Sequence, residues 1–338
     1  MHFEQRKKSV YIRIGKEMAS GNQVKNGKAF EYSIAKVYYE YLMGHGVNAE
    51  FVDNPAKNQA KEYYDAFDNA VQSRFDLAAR ETIDTMVKIE PGLIAQKSDK
   101  DLLRIFLQKD QEGESGDVRD VVFSREKPIW EVGFSAKNNN DAVKHSRLGR
   151  NLDFGQAWMG IPCSENYWQS ISPIFSYIEE CVVAGKKWDD LGIAKRERIY
   201  VPLLNAFRDE VFRLNDRNPE VPSLLVRYLI GSFPFYKIIK DDQHQMVVVK
   251  AFNINGELNK TVNGFKSRYK TPKINLPTRI VELDFKEGSD TTLVMILDGG
   301  WEISFRIHNA STYVERSLKF DIKLLGNPPI LFTQHLFQ

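Results

Sequence analysis

Residues 116–137 read GDVRDVVFSREKPIWEVGFSAK, and the fold class turns on how this stretch is laid down. Asp120-Val121-Val122-Phe123 has the composition of a short strand. Ser124 to Pro128 turns the chain, and Ile129 to Lys137 forms a second strand, so the simplest geometry is a hairpin-like pair. Side chains alternate along a strand, which puts Glu131, Gly133, Ser135 and Lys137 on one face and Val132, Phe134 and Ala136 on the other. One face is apolar and the other carries chemistry. A carboxylate and a lysine on one strand face, beside a strand headed by Asp117 and Asp120, are what divalent-metal phosphodiester hydrolysis needs. Carboxylates hold Mg2+, a hard cation that prefers oxygen. The metal polarises the phosphate and acidifies bound water, while a lysine orients that water or steadies the developing charge.

Working outward, Phe30, Ile34, Val37, Tyr38, Tyr41 and Leu42 recur at spacings of three and four, which predicts a helix from Lys28 to near Gly44. A second helix is predicted over residues 57–90, stopped by Pro91-Gly92. Residues 140–150 (NDAVKHSRLGR) read as a helix start capped by Asn140 or Asp141. Further helices fit residues 170–185 and 195–215. Beyond about residue 232 the pattern becomes strands: MVVVKAFNI, RIVELDFK, TTLVMILD, WEISFRIHNA and LKFDIKLL are divided by Gly, Asn and Asp turns. The expected organisation is therefore an α/β domain over 1–231 and a β-rich subdomain over 232–338.

The continuation past Lys137 sharpens the reading. Lys137-Asn138-Asn139-Asn140-Asp141-Ala142-Val143-Lys144-His145-Ser146-Arg147-Leu148, then Leu152-Asp153-Phe154-Gly155, resembles the signature that follows the catalytic strand in the HaeIII-type restriction endonuclease family, within the PD-(D/E)XK nuclease superfamily. VPSLLVRYLIG with FPFYK (221–237) and SLKFDIKLLGNPP (317–329) also look familial. The resemblance implies a restriction endonuclease-like core, a mixed central sheet flanked by helices. It also implies a bacterial type II enzyme that cuts both strands of duplex DNA with Mg2+ at a short site, GGCC by family association, leaving 5′-phosphate ends. A cognate DNA methyltransferase would act on the same site without needing to touch this chain, and the enzyme would work as a monomer or a homodimer. On the superfamily pattern the first acid is Asp120 or Asp117 and the lysine is Lys137. Ser135 stands where the second acid belongs. Glu131 shares that face farther back along the strand, and Glu31, in Asn26-Gly27-Lys28-Ala29-Phe30-Glu31, matches the helix glutamate that superfamily members often bring to the site. The expected catalytic set is Glu31, Asp117, Asp120, Glu131 and Lys137, with Glu31, Asp117 and Asp120 as metal ligands.

Two further stretches suit DNA. Asn138, Asn139 and Asn140 are amides on a loop leaving the active strand, and Lys144, Arg147 and Arg150 are placed to neutralise phosphates. His145 reads either as a phosphate or proton-transfer group or as a hydrogen-bonded structural histidine. Residues 258–280 (LNKTVNGFKSRYKTPKINLPTRI) hold six bases and no acid, with Phe265 and Tyr269 interleaved. Lys266, Arg268, Lys270 and Lys273 are candidates for phosphate grip, and an arginine forks onto guanine O6 and N7 in the major groove.

Composition bounds these readings. The 338 residues carry 47 Lys and Arg against 45 Asp and Glu, a net +2, with 42% hydrophobic and 27% charged residues. That is globular composition, not a disordered or collagen-like chain. Residues 1–28 hold seven bases and two acids and read as a solvated arm. Two cysteines cannot build a disulfide framework, and charges interrupt every apolar run near the N-terminus, so a reduced cytoplasmic setting away from membranes is expected. Two alternatives stay open: a structure-selective repair or recombination nuclease of the same fold, and a non-catalytic DNA-binding protein whose metal site has decayed at Ser135.

Overall fold

The computed structural model describes residues 2–98, 101–109, 116–139, 141, 143, 146–309 and 311–337, with side chains from residue 23 onward. In chain order its elements are helix α1 (His2–Gly44), strand β1 (Ala49–Phe51), α2 (Pro55–Asp65), α3 (Asn69–Ile89), β2 (Leu103–Leu107), β3 (Val121–Glu126), β4 (Ile129–Asn138) and β5 (Ser146–Gly149). There follow α4 (Phe154–Met159), α5 (Glu165–Val183), α6 (Ile193–Lys195), α7 (Val201–Arg217) and α8 (Val221–Ile230). The chain then runs through β6 (Phe235–Asp241), β7 (Met246–Phe252), β8 (Ile280–Phe285), β9 (Thr292–Leu297), β10 (Glu302–His308), β11 (Ser317–Gly326) and β12 (Thr333–Phe337).

The chain divides into two compact units, each assembled from separated segments. The first comprises Met1–Asn140, Phe233–Lys273 and Phe332–Gln338. Its sheet has seven strands in the order β1-β2-β3-β4-β6-β7-β12. The sheet is mixed: β1 with β2 and β4 with β6 pair in parallel, and the other neighbours are antiparallel. Its apolar face packs on α1 and α3, where Tyr38 meets Phe123 and Phe134 at ring-centroid distances of 5.4 and 5.3 Å and hydrogen-bonds Thr82. The second unit comprises Asp141–Ser232 and Ile274–Leu331. It carries an antiparallel sheet, β5-β11-β10-β9-β8. Phe207 of α7 sits among Phe154, Phe305 and Phe320 at its core.

The predicted hairpin is β3–β4, and the C-terminal β runs all form strands. Four expectations change. The chain does not divide at 231/232: β6, β7 and β12 complete the first unit's sheet, while β8 to β11 belong to the second. The solvated arm is instead the first half of α1, a stretch with no proline and many good helix formers. The helix over 57–90 is two helices, because the Asp68 side chain accepts from Val71 N–H and caps a new one, as Asn54 does at the start of α2. Within the helix start expected at 140–150, Ser146–Gly149 forms β5 instead, which the β11 edge recruits through the Ser146↔Phe320 to Gly149↔Ser317 register, while residues 140, 142, 144 and 145 lie outside the described residues.

Candidate active site

Asp120 occupies the last position before β3, where its backbone N–H donates to Phe134 O and its carbonyl accepts from Gln108 N–H, each across a neighbouring strand. That pairing turns its side chain toward the end of β4. There Ala136 N–H donates to Asp120 Oδ2 at 2.7 Å, the Ser135 hydroxyl at 3.1 Å and Lys137 Nζ at 3.4 Å. Ser135 is buried, whereas Lys137 and Asp120 keep a share of their side chains open to solvent. The residue that departs from the acid-X-Lys pattern thus serves as a donor that fixes the first acid. Among the described residues all hydrogen bonds to the Asp120 carboxylate arrive at Oδ2, so Oδ1 remains as an acceptor for an incoming group.

Glu31 reaches the same place from α1. It is 6% exposed and accepts from Lys28 Nζ, one helical turn earlier, at 2.9 Å. Burial, and after it the negative charge of Asp120, push the Glu31 carboxyl up to about 8, against the opposing pull of Lys28 and Lys137. Two carboxylates that repel one another in a buried place are hard oxygen donors of the kind a divalent cation prefers.

Asp117 and Glu131 do not join this group. Arg119 binds both: its Nε and NH2 donate to Asp117 Oδ1 and Oδ2 at 2.8 and 2.6 Å, and its NH1 donates to Glu131 Oε1 at 2.5 Å. Gln108 adds a bond to Asp117 Oδ2 at 3.0 Å. Burial works to raise the Asp117 pKa, and these bonds more than offset it, so the carboxyl stays below its ordinary range. The Arg119 guanidinium lies over the Phe233 ring and its stem crosses Gly133, where any Cβ would fall on the Arg119 side chain. Gly133 is therefore a close-approach glycine, and Arg119 ties Asp117 and Glu131 into one ion-paired cluster.

The chemistry of the donor set fits a single hard cation. Mg2+ is commonly held by one or two carboxylates, completing its shell with waters and substrate phosphate oxygens. Glu31 and Asp120 supply that number. Among the described residues no cluster of three or more His, Cys, Asp or Glu has metal-holding geometry, in keeping with the departure of Asp117 to Arg119.

The expected DNA contacts separate in the same way. Asn139, at φ 59°, spends its amide on the β6–β7 turn: Nδ2 donates to Asp242 Oδ2 at 2.7 Å and Oδ1 accepts Asp242 N–H at 2.8 Å. Asn138 is half-buried at the end of β4. Asn140, Lys144 and His145 lie outside the described residues. Arg147 belongs to the second unit, where Ser317 takes Nε and NH2 while Glu315 takes NH2. The basic run keeps its side chains outward. Lys260, Lys266, Arg268, Lys270 and Lys273 are exposed, as are Phe265 and Tyr269. Its backbone is pinned from below. Asn259, in the left-handed region at φ 65°, donates to Ile89 O and Tyr269 O and accepts from Thr271 N–H. Its own N–H goes to the buried Glu90, which also accepts from Tyr236. Asn263 donates to Ala95 O and Asp101 Oδ2. The result is a rigid loop displaying cations.

Arg119, Lys28 and the asparagine pins were not singled out from sequence. Lys28 and Glu31 carried the i, i+3 spacing of an ion pair; Arg119 joins Asp117 two positions away to Glu131 twelve positions on, and the asparagines bond residues some 170 positions earlier.

The HaeIII restriction endonuclease family model matches residues 27–328. The type II restriction enzyme HaeIII of Haemophilus aegyptius is 38% identical over 305 residues, covering 90% of this chain and 94% of that protein. No solved structure matches. Among the described residues no helix is long and apolar enough to cross a membrane.

Proposed function

The chain belongs to the HaeIII restriction endonuclease family and is a site-specific deoxyribonuclease of type II, and from that membership we propose how its residues cut duplex DNA. The core is of the PD-(D/E)XK kind, with the variant motif Asp120…Ser135-Ala136-Lys137. The observation that carries this reading is the convergence of Ala136 N–H, Ser135 and Lys137 on one oxygen of Asp120, with Glu31 electrostatically coupled to the same carboxylate. Asp120 and Glu31 would hold Mg2+. When bound, the ion supplies Lewis-acid polarisation of the scissile phosphate and lowers the pKa of water.

The chain's own groups do the positioning. Ser135 and the Ala136 N–H keep Asp120 in one rotamer. Lys137 orients the attacking water and stabilises charge on the phosphoryl oxygens. Water attacks phosphorus in line, the bond to the 3′ oxygen breaks, and the products are a 5′-phosphate and a 3′-hydroxyl. The exposed bases from Lys260 to Lys273 grip phosphates, with Arg268 as the candidate reader of guanine. GGCC is the proposed site and a bacterial cytoplasm the proposed setting, with a cognate methyltransferase protecting the same sequence.

Incubating plasmid with the protein and Mg2+, with and without Lys137→Ala, tests the reading. Discrete fragments that vanish in the variant are expected. Random nicking would point to a structure-selective nuclease, and no cutting with any divalent ion would leave only a DNA-binding protein.

A further inference from the structure

Where α3 ends, one buried carboxylate meets three other parts of the first unit. Glu90 is 1% exposed, and its Oε1 accepts from the Tyr236 hydroxyl of β6 at 2.7 Å and from Asn259 N–H, at the start of the basic loop, at 2.6 Å. The Trp130 indole of β4 is a third donor. The loop leans on the same turn through Asn259 Nδ2 to Ile89 O at 2.5 Å and Arg268 N–H to Lys88 O at 2.8 Å. Tyr236 pairs in register with Phe134, whose carbonyl accepts the Asp120 N–H. Glu90 thus joins the basic loop to β4, which carries Ser135 and Lys137, and to its parallel neighbour β6. Among the described residues no base pairs with it: Lys88 pairs with Asp84, Arg125 with Asp101, and the loop's own bases are exposed. Tyr236 is held well above its ordinary pKa and stays a neutral donor. Burial pushes the Glu90 carboxyl up to about 7, against the three donors. A carboxylate only accepts, and its bonds are roughly twice as strong as neutral ones. Protonation makes them neutral and sets a donor among donors.

We propose that Glu90 is a positioning residue for DNA binding: its carboxylate fastens the loop from Asn259 to Lys273 to the catalytic sheet, and a proton taken up there loosens it. DNA affinity is thereby linked to pH through this one group. This rests on the loop's role in gripping DNA given above. Stability and affinity run in opposite directions. The folded carboxyl keeps its proton to about pH 7 and the unfolded one only to about 4.5, so the stability it contributes is complete below pH 4.5 and is lost as pH rises through 7. Affinity is gained over the same rise, because the carboxylate is the form that holds the loop.

The test is binding of a GGCC-containing duplex by the full chain in EDTA, at fixed ionic strength from pH 6 to pH 8, for wild type, Glu90→Gln and Tyr236→Phe. Wild-type affinity should rise by about 3- to 10-fold over this range, the scale of one linked proton lost near pH 7. Glutamine does not titrate, so Glu90→Gln should hold at pH 8 the affinity that wild type has at pH 6, with a melting temperature at pH 8 equal to or above wild type's. Tyr236→Phe removes a bond that favours the carboxylate, so its affinity should rise at a higher pH than wild type's. Glu31 is common to all three chains and cancels from the comparison. Any of four results would overturn the proposal: a flat wild-type profile, a Glu90→Gln profile that still rises as wild type's does, a loss by Glu90→Gln that is the same at pH 6 and pH 8, or a Tyr236→Phe midpoint at or below wild type's. If Lys266→Ala and Lys270→Ala leave DNA affinity and its salt dependence unchanged, the loop reading itself is wrong. If they weaken binding while Glu90→Gln keeps the wild-type rise, only the role of Glu90 falls.

Discussion

Asp117 and Asp120 stand three positions apart, and their donors give them different work. Asp117 receives a two-pronged bond from Arg119 that satisfies both oxygens, as an ion pair in a brace does. Asp120 receives its bonds on one oxygen and faces Glu31. The pH behaviour follows from Glu31. Its carboxyl is raised from 4.5 to about 8, so the folded chain keeps a proton that the unfolded chain gives up near 4.5. The stability this group contributes is complete below pH 4.5 and is lost as pH rises through about 8. In EDTA, Glu31→Gln should therefore gain melting temperature relative to wild type between pH 5 and 8, and the two should converge near pH 4. Mg2+ affinity should run the other way, rising with pH as Glu31 releases its proton, and Glu31→Gln should flatten that rise. Calorimetric titration with Mg2+ at pH 6 and pH 8.5 measures it; equal affinities would remove Glu31 from the ion site. The sequence pointed to Glu31, Asp120 and Lys137 but could not rank Asp117 against Asp120. The ranking depends on Arg119 folding back over Gly133, a contact that no spacing rule encodes.

At the scale of elements, the basic loop is informative because asparagines hold it in place and lysines carry its proposed function. Asn259 and Asn263 take left-handed φ values of 65° and 55°, which Asn tolerates better than most residues, and their amides tie the loop to α3 and to the segment before β2. Asn259→Ala should cost about 1–3 kcal/mol through stranded backbone groups, read as a lower urea midpoint, and should weaken DNA binding without touching the Asp120 site. Lys266→Ala or Lys270→Ala should leave stability unchanged and reduce the slope of log K against log salt by about 0.9 each. Arg268→Ala should instead cost about 1–3 kcal/mol at the cognate site and relax discrimination. A uniform loss at all sequences would make Arg268 a phosphate contact. The acid-free run was legible as composition. The pins were not, since each bonds a residue some 160 or more positions earlier. For the same reason β5 was read as a helix start: local capping residues were visible, but the β11 edge lies some 170 residues further along.

For the whole molecule, the interleaving of segments matters more than the count of domains. A fragment ending at residue 231 lacks β6, β7 and β12, and with β6 the parallel neighbour of the catalytic strand. Such a fragment should fail to unfold cooperatively in urea; a sharp transition would show that β1 to β4 suffice. The strands were legible from alternation, but their assignment to two sheets was not, because apolar periodicity marks a buried face without naming the partner. The net charge of +2 likewise conceals its distribution. Five exposed bases without an acid line the loop from Lys260 to Lys273, while Asp117 and Glu131 are drawn to Arg119. On the proposed function, that arrangement would grip DNA locally and keep non-specific affinity low.

The account stands on Asp120, not Asp117, as the carboxylate at the chemistry, and cleavage by the two asparagine variants separates them most directly. With cognate duplex and Mg2+, Asp120→Asn should lose at least about 1000-fold in single-turnover rate at unchanged melting temperature. Asp117→Asn should lower the melting temperature and retain most of its rate while folded. A dead, stable Asp117→Asn beside an active Asp120→Asn would contradict the account.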